Sequence, residues 1–337
     1  MKKHKWQIVI ITFIVFSTLF AAGIFCFGAD YLQNKGNYKM ATFAYKNILF
    51  LQKFKIKTAP KPYCDTCIEY STLLLRNGMY KQARNNAQQC LDKTPENYRY
   101  HQIELLFLIL ESYKQENDYK NTLNTLNKIS IINEFIENQD IGAYKNTLKT
   151  NDICKIPLDS QLHDRLYKEF GTYNIALKDY KTAEKYLNMC CKKPDIEIAK
   201  LEYAKGNNKS AQNILKDAFL DTDEKFTLLG KHNHNEDLLY LAQIYSTLAQ
   251  LNNEKSLSYN QYAQSLYSTA LGQKSPETFC QRYKALKAYC KNYASKYYIP
   301  DCNSVIQEHM QSGKNILFFD KNPINTENVE KFCKGDV

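Results

Sequence analysis

Residues 64–95 read CDTCIEYSTLLLRNGMYKQARNNAQQCLDKTP, and the middle of that stretch decides the fold. The phrase Gly78-Met79-Tyr80-Lys81-Gln82-Ala83 has four near copies: Gly36 to Ala41, Asn117 to Thr122, Lys178 to Ala183, and Gly206 to Ala211. Such a phrase describes a tight turn between two helices. A residue tolerant of the left-handed region takes the corner, an aromatic packs under the turn, and a small residue lets the helices approach. Four residues beyond the small residue stand Tyr45, Ala87, Leu126, Leu187 and Leu215. Seven beyond it come Ile48, Cys90, Ile129, Cys190 and Ala218. Offsets of four and seven keep one helical face apolar.

Working outward, the small residues fall 42, 39, 61 and 28 positions apart, so the array is irregular. It resembles the tetratricopeptide repeat, a helix–turn–helix unit of about 34 residues. The best copy spans Cys64 to Pro95; a second, Asp164 to Pro194, adds Gly171 where that family has a small contact residue in its first helix. The resemblance covers residues 24–225, with an insertion at 130–160. Residues 226–312 read as further helical pairs, one turning near Asn252–Asn253 and one broken at Pro300. Residues 313–337 form a tail whose apolar run, Ile316–Phe319, would cap the last helix. The expected fold is therefore all-α: a tetratricopeptide-like solenoid of helical hairpins, preceded by one transmembrane helix.

Composition agrees. Glycine numbers 11 and proline 8 in 337 residues, about half the usual share, too few turn formers for a β-sandwich or a dinucleotide fold. The net charge is +10, of which Lys2, Lys3 and Lys5 supply three. Elsewhere basic and acidic residues alternate, as in YKQENDYKN at 113–121, the pattern of a solvated helix face, so no nucleic-acid partner is expected.

The N-terminus carries the clearest functional signal. Nothing between Trp6 and Ala29 is charged, and Ile8–Ala29 as a helix is about 33 Å long, enough to cross a bilayer core of about 30 Å. Lysines before the run and Asp30 after it place the N-terminus in the cytoplasm and the repeats outside, in a bacterial periplasm or at a cell surface. Residues 1–29 are thus a basic tip and signal-anchor. The rival is a cleaved signal peptide with Ala21-x-Gly23 as its cut site, releasing a secreted repeat protein.

Eleven cysteines in an oxidising compartment invite disulfides. Cys64 and Cys67 lack the second C-x2-C that zinc would need, the following histidine that haem attachment needs (Ile68 stands there), and the preceding strand of a thioredoxin site. In an antiparallel helix pair the start of the first helix lies beside the end of the second, which brings Cys64 or Cys67 near Cys90. His232 and His234, before Glu236 and Asp237, read as an exposed polar loop. Phosphate-loop, nucleophile-elbow and H-E-x-x-H patterns are missing, so neither an enzyme nor a cofactor is expected; a cell-envelope enzyme would have to hide its site in the insertion or tail.

Stacked helical pairs create a concave groove lined by first helices, which suits extended peptides. Residues facing away from the packing stripe are Ile68, Thr72, Leu75 and Arg76; then Phe107, Glu111 and Lys114; then Lys168 and Thr172. Some tetratricopeptide domains clamp C-terminal carboxylates with Lys and Asn four apart. Here Thr172 follows Lys168, so that activity is not implied. The expected role is a membrane-anchored, non-catalytic scaffold binding protein or peptide segments.

Overall fold

The computed structural model describes residues 28–147, 153–229, 234–292 and 302–335. Among them the chain is all-helical, with fifteen helices packed in consecutive pairs and no strand. The helices are α1 (28–34), α2 (Tyr38–Gln52), α3 (Pro60–Arg76), α4 (Tyr80–Leu91), α5 (Arg99–Gln115), α6 (Tyr119–Thr147), α7 (Pro157–Ala176) and α8 (Tyr180–Leu187). They continue with α9 (Asp195–Ala204), α10 (Asn208–Leu229), α11 (His234–Leu251), α12 (Ser256–Leu271), α13 (Pro276–Asn292), α14 (Cys302–Gln311) and α15 (Thr326–Lys334). None of the described helices is long and apolar enough to cross a membrane. The uncharged run and the expected anchor lie almost wholly in residues 1–27, outside the described residues, as do His232 and Pro300.

Each of the five phrases is a turn of one construction. Gly36, Gly78, Asn117, Lys178 and Gly206 all have positive φ, from 54° to 89°. At the second, the N–H of Gly78 donates to Leu75 O and that of Met79 to Leu74 O, the paired bonds of a Schellman C-cap; the other four turns repeat them. The residue after the corner leads into the next helix. Asn37, Asp118 and Asp179 each accept a backbone N–H three residues on, satisfying a donor the helix leaves orphaned. The small residues Ala41, Ala83, Thr122, Ala183 and Ala211 are all buried. The aromatic beneath the turn is less uniform: Tyr38 and Tyr80 are buried, whereas Tyr119 is 41% exposed. Gly171 meets a different demand, because a Cβ there would run into Leu187 Cδ2, so α7 and α8 could not close.

Two stretches take a form that was not read from the sequence. The segment from 130 onward begins inside α6, which runs unbroken for 29 residues, and the disulfide Cys154–Cys191 ties the segment beyond it to the connection after α8. Nor does the tail cap only the last helix. Phe318, Phe319, Val329 and Phe332 form a core with Phe279, Tyr283 and Met310, held by disulfides Cys280–Cys333 and Cys290–Cys302. This C-terminal module then seats on the turns of the first pairs. Phe332 and Phe318 press on Gly78, the N–H of Leu317 donates to Asn77 Oδ1, the Tyr38 hydroxyl donates to Lys274 O, and Gly335 lies against Gln115. A burial-driven collapse cannot be local here, since Asn77 and Leu317 are 240 residues apart.

Cys90 is joined to Cys67, while Cys64 remains a buried thiol beside Thr94. Burial pushes the Cys64 pKa up, which keeps it unreactive.

Two measurements test this account. Gly206 has open space where a Cβ would go, so Gly206→Ala should cost roughly 1 kcal/mol, the left-handed penalty alone. Gly78→Ala adds a contact of 2.9 Å with Phe332 and should cost at least about twice that by denaturant unfolding; equal losses would mean the C-terminal seat contributes nothing. Separately, closing the 23-residue loop is worth about 3 kcal/mol in the chain-entropy picture, so Cys90→Ala should lower Tm under oxidising conditions and leave it unchanged in reductant.

Candidate functional site

The first helices of two successive pairs place charged side chains side by side. From α5 come Glu104, Glu111 and Lys114, and from α7 come Arg165 and Glu169. Nη1 of Arg165 donates to both oxygens of Glu104, at 2.8 and 2.9 Å, and the guanidinium lies 3.8 Å from the centre of the Phe107 ring. Further along α5, Lys114 Nζ bridges Glu111 at 2.8 Å and Glu169 at 2.7 Å. Burial works against the Lys114 ammonium, but Glu169 and Glu111 outweigh it and hold its pKa above the ordinary lysine value. Burial likewise opposes the Glu111 charge, and Lys114 more than reverses it, so that carboxyl titrates below its usual range. Solvent still reaches this trio, at 22–32% of each side chain.

Arg76, at the end of α3, turns to the C-terminal module. Its Nε and Nη2 donate to the two oxygens of Glu277 at 2.7 and 3.0 Å. One turn along α13, Gln281 donates to Ser246 of α11, and one further turn brings Lys284 to the same face. Lys284 has no ion pair among the described residues, and burial pushes its ammonium below the ordinary lysine pKa.

Not every residue expected in the groove lies in it. Phe107 is 3% exposed and belongs to the main core; it serves Arg165 only by its face. Ile68 and Leu75 are half-buried against the same core. Thr72 is half-buried. The Thr172 hydroxyl donates to Lys168 O within its own helix, so it offers no free donor, and Lys168 stands half-exposed beside it. Glu111 and Lys114 do sit together with charged neighbours. The residues missed by inspection of the sequence, Glu104, Arg165, Glu169, Glu277 and Lys284, share one signal: each lies at helical spacing from a residue already singled out or from another of the set.

Among the described residues there is no group of three His, Cys, Asp or Glu side chains placed to hold a metal ion. The arrangement is suited to recognising charge; it presents no nucleophile held by a base. No family model matches the chain, and no curated protein matches it in sequence.

Replacing Lys114 isolates the electrostatics. Lys114→Met leaves Glu111 and Glu169 facing each other without their cation and should cost about 2 kcal/mol at neutral pH, discounted for partial exposure. In the native protein the depressed Glu111 pKa gives stability that is present above its unfolded value of about 4.3 and lost as pH falls through the folded value. In the variant the two carboxylates repel and Glu111 loses the cation that held its pKa down, so stability should increase as pH drops from about 7 towards about 5. Parallel pH profiles for the two proteins would disprove the assignment.

Proposed function

We propose that this chain is a membrane-anchored, non-catalytic interaction scaffold. Its helical pairs form a tetratricopeptide-type solenoid that holds an extended protein segment against the first helices. The lane of charged, partly solvated side chains on α5 and α7 carries this reading. Each element of the lane alternates sign over short distances, which suits a partner segment of mixed charge rather than a polyanion. The five turns of common construction, each followed by a buried small residue, support the solenoid. Ion pairs of this exposure contribute only about 0–1 kcal/mol each, so a partner's charges can replace them at small cost.

The length of the uncharged run at residues 8–29 supports the anchor. Four disulfides, taking eight of the ten described cysteines, support an oxidising compartment for the helices. N-terminal sequencing of membrane-fractionated protein separates a retained anchor from a cleaved signal peptide.

Exchanging Glu104→Arg with Arg165→Glu keeps the ion pair and therefore the fold, but inverts the lane. Crosslinking in native membranes should then recover the partner at least about tenfold less, the effect of losing one close charge contact of roughly 1.4 kcal/mol, with helical content unchanged. The same recovery from the inverted chain would overturn the proposed site.

A further inference from the structure

The first helical pair differs from the rest of the molecule in charge. Residues 30–62 hold seven lysines (35, 39, 46, 53, 55, 57 and 61) against one acid, Asp30. With Lys2, Lys3 and Lys5 they account for nine of the net +10, which leaves +1 for the other 275 residues beyond position 62. All seven are exposed, and among the described residues only Lys39 makes an ion pair, with Asp320.

The same pair carries an apolar stripe on its outward face. One side of α2 is core: Ala41, Ala44, Tyr45 and Ile48 are buried. On the other side Met40, Phe50 and Leu51 stand 50%, 57% and 49% exposed; Phe54, in the 3-10 turn that follows, is 70% exposed, and Tyr31 of α1 is 61% exposed. Spacings of 10 and 11 from Met40 confine the three on α2 to one arc of about 100°. The lysines flank this stripe rather than interrupt it. Lys53 Nζ lies 5.1 and 5.4 Å from the centres of the Phe50 and Phe54 rings, and Lys35 Nζ lies 5.6 Å from that of Tyr31. A helix with aromatics on a face bordered by lysines suits the boundary between acyl chains and headgroups.

Position along the chain supplies the occupant. The uncharged run Ile8–Ala29 ends inside α1, whose described part is about 10 Å long, so the stripe begins within a short reach of the proposed membrane segment. We propose that the outer face of α1 and α2 seats on the headgroup layer of an anionic bilayer, with Phe50 and Phe54 entering the interface and the lysines facing lipid phosphates. Attraction to such a surface accumulates lysine by lysine, and the six without an ion pair are enough to orient the domain. This proposal rests on the anchor reading above.

The test uses the full chain reconstituted in vesicles. Trp6 is the only tryptophan, so a Trp6→Phe, Phe50→Trp variant reports one place. In vesicles containing phosphatidylglycerol, emission from the indole at position 50 should shift to the blue and lose most of its intensity to brominated acyl chains. Phosphatidylcholine alone should give much weaker quenching, and so should adding Lys53→Glu, Lys55→Glu and Lys57→Glu. A Tyr203→Trp reporter on α9 in the same Trp6→Phe background should stay unquenched. Flotation of the same vesicles reads the anchor. If the chain floats but the position-50 indole emits as in water, the docking is wrong and the anchor stands. A chain that does not float removes the anchor and this proposal with it. A blue shift that resists bromolipid and disappears at low protein-to-lipid ratio places a second copy of the chain on the stripe and overturns the proposal.

Discussion

One constraint organises this molecule: a helix must end, reverse and restart within a few residues without leaving backbone groups unpaired. The left-handed corner lets two N–H groups close the carbonyls of the outgoing helix, and at three of the turns the next residue, Asn37, Asp118 or Asp179, caps the incoming one. The reversal is so tight that two helices face each other from their first turn. Only a small side chain at the fourth position past the cap then fits, which is why Ala41, Ala83, Ala183 and Ala211 are fully buried. Lys178 shows the strength of the demand, since it holds φ 63° although lysine has no natural preference for that region. The pair is thus a local solution. Its apolar outer face is not, and each pair must find a neighbour.

At the N-terminal end that neighbour comes from the far end of the chain. The C-terminal module is small, and its core of about eight apolar side chains would be marginal alone. Two disulfides and the seat on Gly78 offset that weakness. The seat uses the turns because they are the one place where the backbone itself is bare: a glycine corner lets the Phe332 and Phe318 rings approach where any Cβ would obstruct them. The same glycine therefore does two things, turning the chain and receiving the cap.

Sequence alone showed what is local and missed what is not. The helical class, the five turns and the small contact residues are written in short spacings, so they could be read directly. Phe107 misled because facing was inferred from the neighbouring turn's pattern, whereas α5 is buried from Ile103 and Leu105 through Leu110 by packing on several sides. The unbroken apolar run LLFLIL was the available sign that the middle of α5 has no free face. Arg76, expected in the groove, pairs with Glu277 201 residues away, and no periodicity connects them. The ion pairs Glu104–Arg165 and Lys114–Glu169 likewise depend on which first helices become neighbours, a tertiary fact. Alternating charge is the pattern of a solvated face. On α5 and α7 that face is instead shared between helices.

That sharing bears on how the lane could serve a partner. A deep ion pair would be costly to break, because removing either charge strands the other in low dielectric. A fully exposed pair would be screened and would select nothing. The trio around Lys114 lies between these limits, with roughly a quarter of each side chain in water. Its charges are close enough to lock one another's ionisation, as the raised Lys114 and lowered Glu111 pKa values show. They remain accessible enough for an incoming carboxylate or ammonium to take one partner's place. On the proposed reading the resting pairs act as placeholders: they keep the lane ordered and satisfied without a ligand, so that binding would exchange one set of charge contacts for another. Under that exchange affinity comes from added apolar and backbone contacts, while the charges decide which segment is accepted and in which direction it lies.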